Sequence, residues 1–277
     1  MKIFRDPKKL QKWANVRRAA GAKIALVPTM GYLHEGHLSL MAKARAKGAD
    51  EIVVSVFVNP VQFCPGEDYA SYPRDEKADL ARCRAAGVTA VFLPTPKSMY
   101  LDRHSVYVNE ENLSRGLCGA RRPGHFRGVC TVVAKLFNIV RPDFAVFGQK
   151  DYQQAQIIKR MVRDLNFGID IVVAPIVREK TGLAKSSRNT YLNAAEREMA
   201  LAISKGLREL KATCRRSDAA PRLSALEARL KSAGLVVDYV ACVDAQTLEP
   251  RRRVGKGCCV LVAAYCGKTR LIDNVLI

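Results

Sequence analysis

The sequence has 277 residues, of which 48% are hydrophobic and 26% are charged, and its formal net charge is +20 at pH 7. This composition supports a packed core and excludes fibrous and disordered chains. The longest apolar runs, such as residues 24–28 and 52–58, are too short to span a bilayer, and the N-terminus has no apolar signal-peptide core. We therefore expect a cytoplasmic protein without a membrane partner.

The nine cysteines contain neither a C-x-x-C pair nor a cysteine–histidine cluster. That spacing argues against structural zinc, so we predict no metal ligands among the side chains. Most of the cysteines lie in apolar stretches such as GCCVLVAAYCG, which predicts buried, reduced thiols.

The positive charge is concentrated in residues 2–23, 208–216 and 251–256. A basic surface of this kind can bind nucleic acid. Here no nucleic-acid-binding module surrounds the basic clusters, and aromatic residues are not interleaved with them. The pattern favours a solvated surface that attracts anionic substrates, with no specific nucleic acid as partner.

In the first part of the chain, short apolar runs alternate with longer helical patterns. The predicted strands cover residues 23–27, 51–58, 90–93, 144–147 and 170–176, and the predicted helices cover residues 37–47, 75–86, 129–140 and 153–165. This alternation is typical of βαβ units around a parallel sheet. The strands are apolar throughout, which indicates that both faces of the sheet are covered.

The pattern changes near residue 177. Two predicted helices (residues 194–212 and 219–233) flank a basic segment around residues 215–221, and three predicted strands follow at residues 236–243, 258–265 and 270–275. We therefore predict an N-terminal α/β domain at residues 1–176 and a smaller α+β domain at residues 177–277.

The strongest functional signal is the segment PTMGYLHEGH at residues 28–37. A buried strand ends there and a helix begins near His37, so His34 and His37 share one face of the first helical turn. Helix N-termini bind phosphate through unpaired N–H groups, and imidazoles can add donors at that point. The H-x-G-H pattern is typical of nucleotidyltransferase-type α/β enzymes. The competing interpretation is a chance pair of surface histidines.

Three further segments follow predicted strands. GLAKSSRN (residues 182–189) offers two hydroxyls and an arginine to phosphate, although serines before a helix are also common N-caps. GQKDYQQ (148–154) offers Lys150 to phosphate, Asp151 to ribose and the Gln154 amide to a hydroxylated substrate, or it is a capped helix start. VNPVQF (58–63) offers Asn59 and Gln62, although Asn-Pro is also an ordinary turn.

Seven segments together resemble the pantothenate synthetase family: PTMGYLHEGH, VFVNPVQF, YPRDEKADL, LCGARRPGHFRGV, FGQKDYQQ, GLAKSSRNTYL and RLIDN. They occur in the family's order and span nearly the whole chain. The resemblance implies a Rossmann-like parallel sheet in the N-terminal domain, a smaller C-terminal lid domain and a homodimer. It also implies that pantoate and ATP–Mg²⁺ give pantoyl adenylate and pyrophosphate, after which β-alanine gives pantothenate and AMP.

The resemblance also implies roles for individual residues. It assigns His37 as the catalytic donor or acid, and it assigns Gln62 and Gln154 to pantoate, with Gln62 also near β-alanine. The residues assigned to ATP are Met30, Gly31, Tyr32, Leu33, His34, Glu35, Gly36, His37, Gly148, Gln149, Lys150, Asp151, Val177, Lys185, Ser186, Ser187 and Arg188.

The chain departs from the family pattern at a few positions. Gln149 stands where the family usually has Glu, Lys185 where it has Met or Leu, and Cys64 where it has Gly. Asp79 matches an acid that can contact a magnesium-bound water, but the acid that some members have before it is Ala78 here. Two alternatives stay open, namely another adenylyl- or cytidylyltransferase with the same H-x-G-H frame, and a nucleic-acid-binding protein.

Overall fold

The structure is a computed structural model that describes residues 1–213 and 217–277. Cys214, Arg215 and Arg216 lie outside the described residues, and the latter two belong to the predicted basic segment. The chain divides into two compact units. Unit 1 contains Met1–Gly148 and Ile157–Ala174, and unit 2 contains Gln149–Gln156 and Pro175–Ile277. The domain boundary at residue 177 stays a prediction.

Unit 1 is built on a six-stranded parallel sheet. Its strands are β1 (Lys2–Phe4), β2 (Ile24–Thr29), β3 (Glu51–Val56), β4 (Ala90–Phe92), β5 (Phe144–Gly148) and β6 (Asp170–Ala174), in the order β1-β4-β3-β2-β5-β6. The chain runs from β2 outward to β4 and then returns to place β5 on the other side of β2. The predicted α/β parallel sheet is confirmed, with β1 as an additional edge strand.

The helices of unit 1 follow its strands. They are α1 (Pro7–Ala19), α2 (Glu35–Ala46), α3 (Glu76–Ala85), α4 (Pro96–Met99), α5 (Leu117–Arg121), α6 (His125–Val140) and α7 (Tyr152–Asp164), the last of which begins in residues of unit 2. The sequence predicted α6 to begin at residue 129. It begins four residues earlier because Gly124, at φ +80°, turns the chain directly into the helix.

The core of unit 1 contains the apolar strand residues. Residues 24–27 of β2 and 52–54 of β3 are completely buried, as the continuous apolar runs predict for a sheet covered on both faces. Leu40, Met41 and Ala44 of α2 pack in the same cluster as Val27 and Val54. Helix α2 is thereby held against the two strands whose carboxyl ends carry the polar loops.

Unit 2 contains α8 (Ala194–Ala212), α9 (Ala219–Ser232) and a three-stranded antiparallel sheet. The strands of this sheet are β8 (Val236–Asp244), β10 (Cys258–Cys266) and β11 (Thr269–Leu276), in the order β11-β10-β8, and a short pair is formed by β7 (Ser217–Asp218) and β9 (Arg253–Val254). The predicted α+β character is confirmed. Of the described cysteines, seven are buried free thiols and Cys64 is half-buried, as the apolar context predicts.

Candidate active site

The loop after β2 has a backbone shape that its residues dictate. Gly31 has a φ of +84°, and a Cβ there would lie 2.8 Å from Val56 Cγ1 and 2.9 Å from Asp79 Oδ2. Tyr32 also adopts a positive φ, of 51°, which is costly for a side chain of its size. The surroundings must therefore hold this loop in place.

Asp79 of α3 holds the loop in place through hydrogen bonds. Its carboxylate is 2% exposed, and it accepts the N–H groups of Tyr32 at 2.8 Å and Leu33 at 2.7 Å. Arg82, one turn further along α3, donates to the carbonyl of Leu33. Burial raises the pKa of the Asp79 carboxyl, against the opposing effect of the two N–H bonds. Its two oxygens thus serve the loop, which sequence reasoning missed when it considered Asp79 only for magnesium.

His34 and His37 form a reciprocal cap at the start of α2. The helix begins at Glu35, two residues before the predicted start, and His34 is its N-cap. His34 Nδ1 accepts the N–H of Gly36 at 3.1 Å, and His37 Nδ1 accepts the N–H of His34 at 3.2 Å. The ring centroids are 4.1 Å apart. Because each Nδ1 is an acceptor, each neutral ring carries its proton on Nε2 and is a donor there.

The turn after β3 fixes the orientation of the Gln62 amide. Tyr100 Oη donates to Asn59 Oδ1 at 2.7 Å, and Asn59 Nδ2 donates to Gln62 Oε1 at 3.1 Å. The Gln62 Nε2 group is therefore the donor end of that side chain, and it lies 3.2 Å from Met30 Sδ. Two predicted site segments are thus in contact. Asn59 is 1% exposed, so it orients the Gln62 amide from within the protein interior.

Helix α6 holds the backbone of the same turn. A Cβ at Gly128 would lie 2.4 Å from Val61 O and 2.6 Å from Gln62 Cα, so only glycine fits there. His125 Nδ1 lies 2.7 Å from Gln62 O and Arg122 Nη1 lies 2.9 Å from His125 Nε2, so His125 carries its proton on Nδ1. The GHFRG part of the predicted motif thus holds the backbone of Gln62 in place.

Arg122 also binds Glu67 through two bonds, of 2.6 and 2.8 Å. Burial of Glu67 opposes its ionisation, but these bonds and the charge of Arg122 outweigh that effect and lower its pKa. The Cys64 thiol donates to the carbonyl of Pro123 at 3.3 Å. Burial and the charge of Glu67 raise the pKa of Cys64, so this departure from the family pattern is a packing thiol and not an activated one.

In unit 2, Gln149–Asp151 forms a short 3₁₀ helix directly before α7. Lys150 Nζ lies 3.4 Å from Asp151 Oδ2. Gln149 Nε2 donates to Asn274 Oδ1 of β11 at 3.1 Å, a bond that the family's usual Glu could not donate. Gln154 is half-buried in the first turn of α7.

Val177 and the KSSR segment are brought together by a second turn. Lys185 N donates to Val177 O at 2.9 Å, and Arg178 forms an antiparallel bridge with Ala184. Ser186 caps the 3₁₀ helix Ser187–Tyr191 by accepting the N–H of Arg188 at 3.3 Å. The N-cap interpretation of this serine is therefore confirmed, and the phosphate interpretation of the segment stays a prediction.

The strand order of unit 1 reverses between β2 and β5, and in open parallel sheets ligands bind at the carboxyl ends of the strands beside such a point. The capped histidine pair follows β2, and Gly148 ends β5. This fold and site define an α/β protein of the nucleotidyltransferase class.

Comparisons with known proteins give the family. The family model described as pantoate-beta-alanine ligase matches residues 2–276. The pantothenate synthetase of Anaeromyxobacter dehalogenans is 53% identical over 98% of this chain and 97% of its own, and that of Myxococcus xanthus is 51% identical over 96% and 92%. The chain belongs to the pantoate-beta-alanine ligase family, and it is a carbon–nitrogen ligase.

Solved structures agree with this assignment. The pantothenate synthetase of Thermus thermophilus is 42% identical with a TM-score of 0.91, and each chain is covered to 99%. The pantoate-beta-alanine ligase of Francisella tularensis, complexed with beta-gamma ATP and β-alanine, is 34% identical with a TM-score of 0.84 over 100% of this chain and 97% of its own. In the described part of this chain, no helix is long and apolar enough to cross a membrane.

Proposed function

We propose that the chain condenses pantoate with β-alanine to form pantothenate, with ATP cleaved to AMP and pyrophosphate. The observation that carries this proposal is the reciprocal histidine cap at the start of α2, in a chain that the family model matches from residue 2 to residue 276. The same match counts against another adenylyl- or cytidylyltransferase, which would not require the Asn59–Gln62 turn.

In the first step, a pantoate carboxylate oxygen attacks the α-phosphorus of ATP, the bond to the bridging oxygen breaks and pyrophosphate leaves. In the second step, the β-alanine amine attacks the acyl carbon of pantoyl adenylate, the C–O bond to AMP breaks and the amine loses a proton. Neither step requires a covalent bond to the protein. The protein contributes by positioning the reactants and stabilising charge.

The Nε2–H groups of His34 and His37 suit the phosphates of ATP. They stand at the N-terminus of α2, where the helix dipole and the first amide groups also favour an anion. Negative charge moves onto the leaving pyrophosphate during the first step, so a fixed donor there stabilises the transition state. We assign His37 as the catalytic donor and Met30, Gly31, Tyr32, Leu33, His34, Glu35 and Gly36 to ATP.

Gln62 suits a substrate oxygen because Asn59 occupies its Oε1 and leaves Nε2 as the donor. We propose that Gln62 and Gln154 bind pantoate and that Gln62 also lies near β-alanine. Among the remaining residues, we assign Gly148, Gln149, Lys150 and Asp151 to ribose and phosphate, Val177 to adenine, and Lys185, Ser186, Ser187 and Arg188 to the triphosphate.

We propose that magnesium enters as the ATP–Mg²⁺ complex. Magnesium usually keeps several waters and binds phosphate oxygens, with only one or two protein carboxylates. In residues 1–213 and 217–277, no group of three or more histidine, cysteine, aspartate or glutamate side chains could hold a metal ion. We further propose a homodimer in the cytoplasm.

Product analysis tests the proposal. With ATP and pantoate alone, we expect enzyme-bound pantoyl adenylate and pyrophosphate, each in a molar amount that does not exceed that of the enzyme. With β-alanine added, we expect pantothenate, AMP and pyrophosphate in equal amounts and with turnover. Formation of ADP and phosphate would show an acyl-phosphate route and exclude the adenylate.

A further inference from the structure

Asn274 of β11 is a buried amide whose bonds all go to one proposed ATP segment. It is 2% exposed. Its Nδ2 donates to the carbonyls of Gln149 at 2.9 Å and Lys150 at 3.1 Å, and its Oδ1 accepts from Gln149 Nε2 at 3.1 Å. These three bonds set the backbone of the turn that carries Lys150.

Asp273, the preceding residue, binds a second segment. It is 4% exposed, and its two oxygens accept from Arg178 Nη1 at 2.6 Å and Nη2 at 3.0 Å. Arg178 Nη1 also donates to the carbonyl of Gly182 at 3.3 Å. Because Arg178 is bridged to Ala184, this fork fixes the turn that leads into Lys185.

Adjacent side chains of a strand point to opposite faces, so neighbouring positions on β11 can serve two segments at once. A buried carboxylate and a buried amide are costly unless they are fully bonded, and apolar residues would fill the same sheet at less cost. Among the described residues, the Asn274 amide bonds only to the turn that carries Lys150. The Asp273 carboxylate binds Arg178, which precedes the turn that carries Lys185, and its Oδ1 also accepts the N–H of Asn274 at 2.8 Å.

We propose that Asp273 and Asn274 are positioning residues for ATP. They fix the Gln149–Asp151 turn and the turn before Lys185 to one strand, so that both cationic segments are formed before the nucleotide binds. This inference rests on the proposed function, because it takes ATP as the ligand of those two segments. Neither residue touches ATP in this proposal, and each acts through backbone that it holds.

The test compares Asn274→Asp and Asp273→Asn with a control, Asp238→Asn. Asn274→Asp keeps the side-chain volume but replaces the donor to two carbonyls by an acceptor. Asp273→Asn removes half of the fork to Arg178. The control removes the charge of Asp238 of β8, whose Oδ2 accepts from Arg270 Nε at 3.0 Å and Nη2 at 2.7 Å in the same sheet.

ATP affinity is measured directly by titration calorimetry, alongside thermal unfolding and the KM values for all three substrates. We expect Asn274→Asp and Asp273→Asn each to weaken ATP binding by about tenfold or more, since small displacements of positioning groups have large effects. The KM for β-alanine should stay within about twofold of the wild-type value. The control should lose thermal stability and keep its ATP affinity.

Wild-type ATP affinity in either folded variant, or equal weakening in Asp238→Asn, would overturn the inference. If Asp273→Asn does not fold, Arg178→Lys keeps the charge, loses the fork and must still weaken ATP binding. The wild-type protein separates the two proposals. Wild-type protein that binds ATP but makes no pantothenate contradicts only the proposed function, whereas the ratio of ATP affinities decides the role of Asp273 and Asn274.

Discussion

The His37 ring has separate tasks at its two nitrogens. Nδ1 accepts the N–H of His34 and completes the cap of α2, whereas Nε2 keeps the proton that we assign to catalysis. The sequence predicted the pair and its closeness from the three-residue spacing. It could not predict which nitrogen would be used for the cap, because that depends on the helix beginning at Glu35 and not at His37.

Replacing His37 by alanine removes both functions. We expect adenylation to slow by about 10²-fold or more, the scale for a lost transition-state donor. His37→Gln is the matched variant, because a glutamine three residues after the N-cap can accept the N-cap N–H. It should regain thermal stability without regaining the adenylation rate, measured by pyrophosphate release. Turnover close to wild type in folded His37→Ala would remove His37 from the mechanism.

At the scale of elements, the sequence predicted best where local chemistry sets the boundary. Helix α8 begins at the predicted residue because Asn193 and Glu196 exchange cap bonds of 2.9 Å at its start. The supports of the site were missed because they lie far away along the chain. Asp79 is 46 residues from Leu33, and Asn274 is 125 residues from Gln149. The motif RLIDN was recognised, but pattern alone gives no contact for it.

The bonds of Asp79 to the Gly31 loop predict a contribution to protein stability that depends on pH. Asp79→Asn keeps one acceptor and turns an N–H₂ group toward Tyr32 or Leu33, so it should destabilise the protein by about 1–3 kcal/mol. The folded-state pKa of Asp79 is raised, so the folded wild type binds more protons than the unfolded chain between its ordinary pKa and that raised value. Its stability from this group therefore falls as pH rises through that window.

Urea unfolding of both proteins across the acid range measures this effect. The stability difference between wild type and Asp79→Asn should shrink as pH rises through the window, since asparagine does not titrate. A difference that grows with pH would show that the Asp79 pKa is lowered in the folded protein. ATP affinity should fall in Asp79→Asn at every pH, because the loop of Gly31 loses its support.

For the whole molecule, the net charge of +20 does not by itself show which cations are available to bind anions. Several arginines are neutralised in partly buried pairs, such as Arg17 with Glu51 at 2.5 Å and Arg122 with Glu67 at 2.6 Å. Lys8, Lys9 and Lys12 of α1 are instead exposed to solvent. Composition predicted a basic surface, but only the fold separates the paired cations from the solvated ones.

We expect the protein to bind DNA or RNA weakly and without sequence preference. Because phosphate contacts release counterions, affinity should fall by at least about tenfold when salt rises from about 50 to about 200 mM. The triple variant Lys8→Ala/Lys9→Ala/Lys12→Ala should bind nucleic acid less well and keep the wild-type ligase rate. Fluorescence anisotropy with several oligonucleotides measures the salt dependence and the loss of binding, and pantothenate formation measures the ligase rate. Sequence-dependent binding that survives physiological salt would favour the nucleic-acid alternative.

The division of the chain has a consequence for modularity. The backbone passes between the two units three times, after Gly148, Gln156 and Ala174, so no single cut separates them. A fragment that ends at residue 176 retains Gln149–Gln156 but lacks β11, and the carbonyls of Gln149 and Lys150 lose the amide that binds them. A chimera that exchanges the C-terminal part between relatives would therefore have to exchange residues 149–156 as well, because the two segments form one unit.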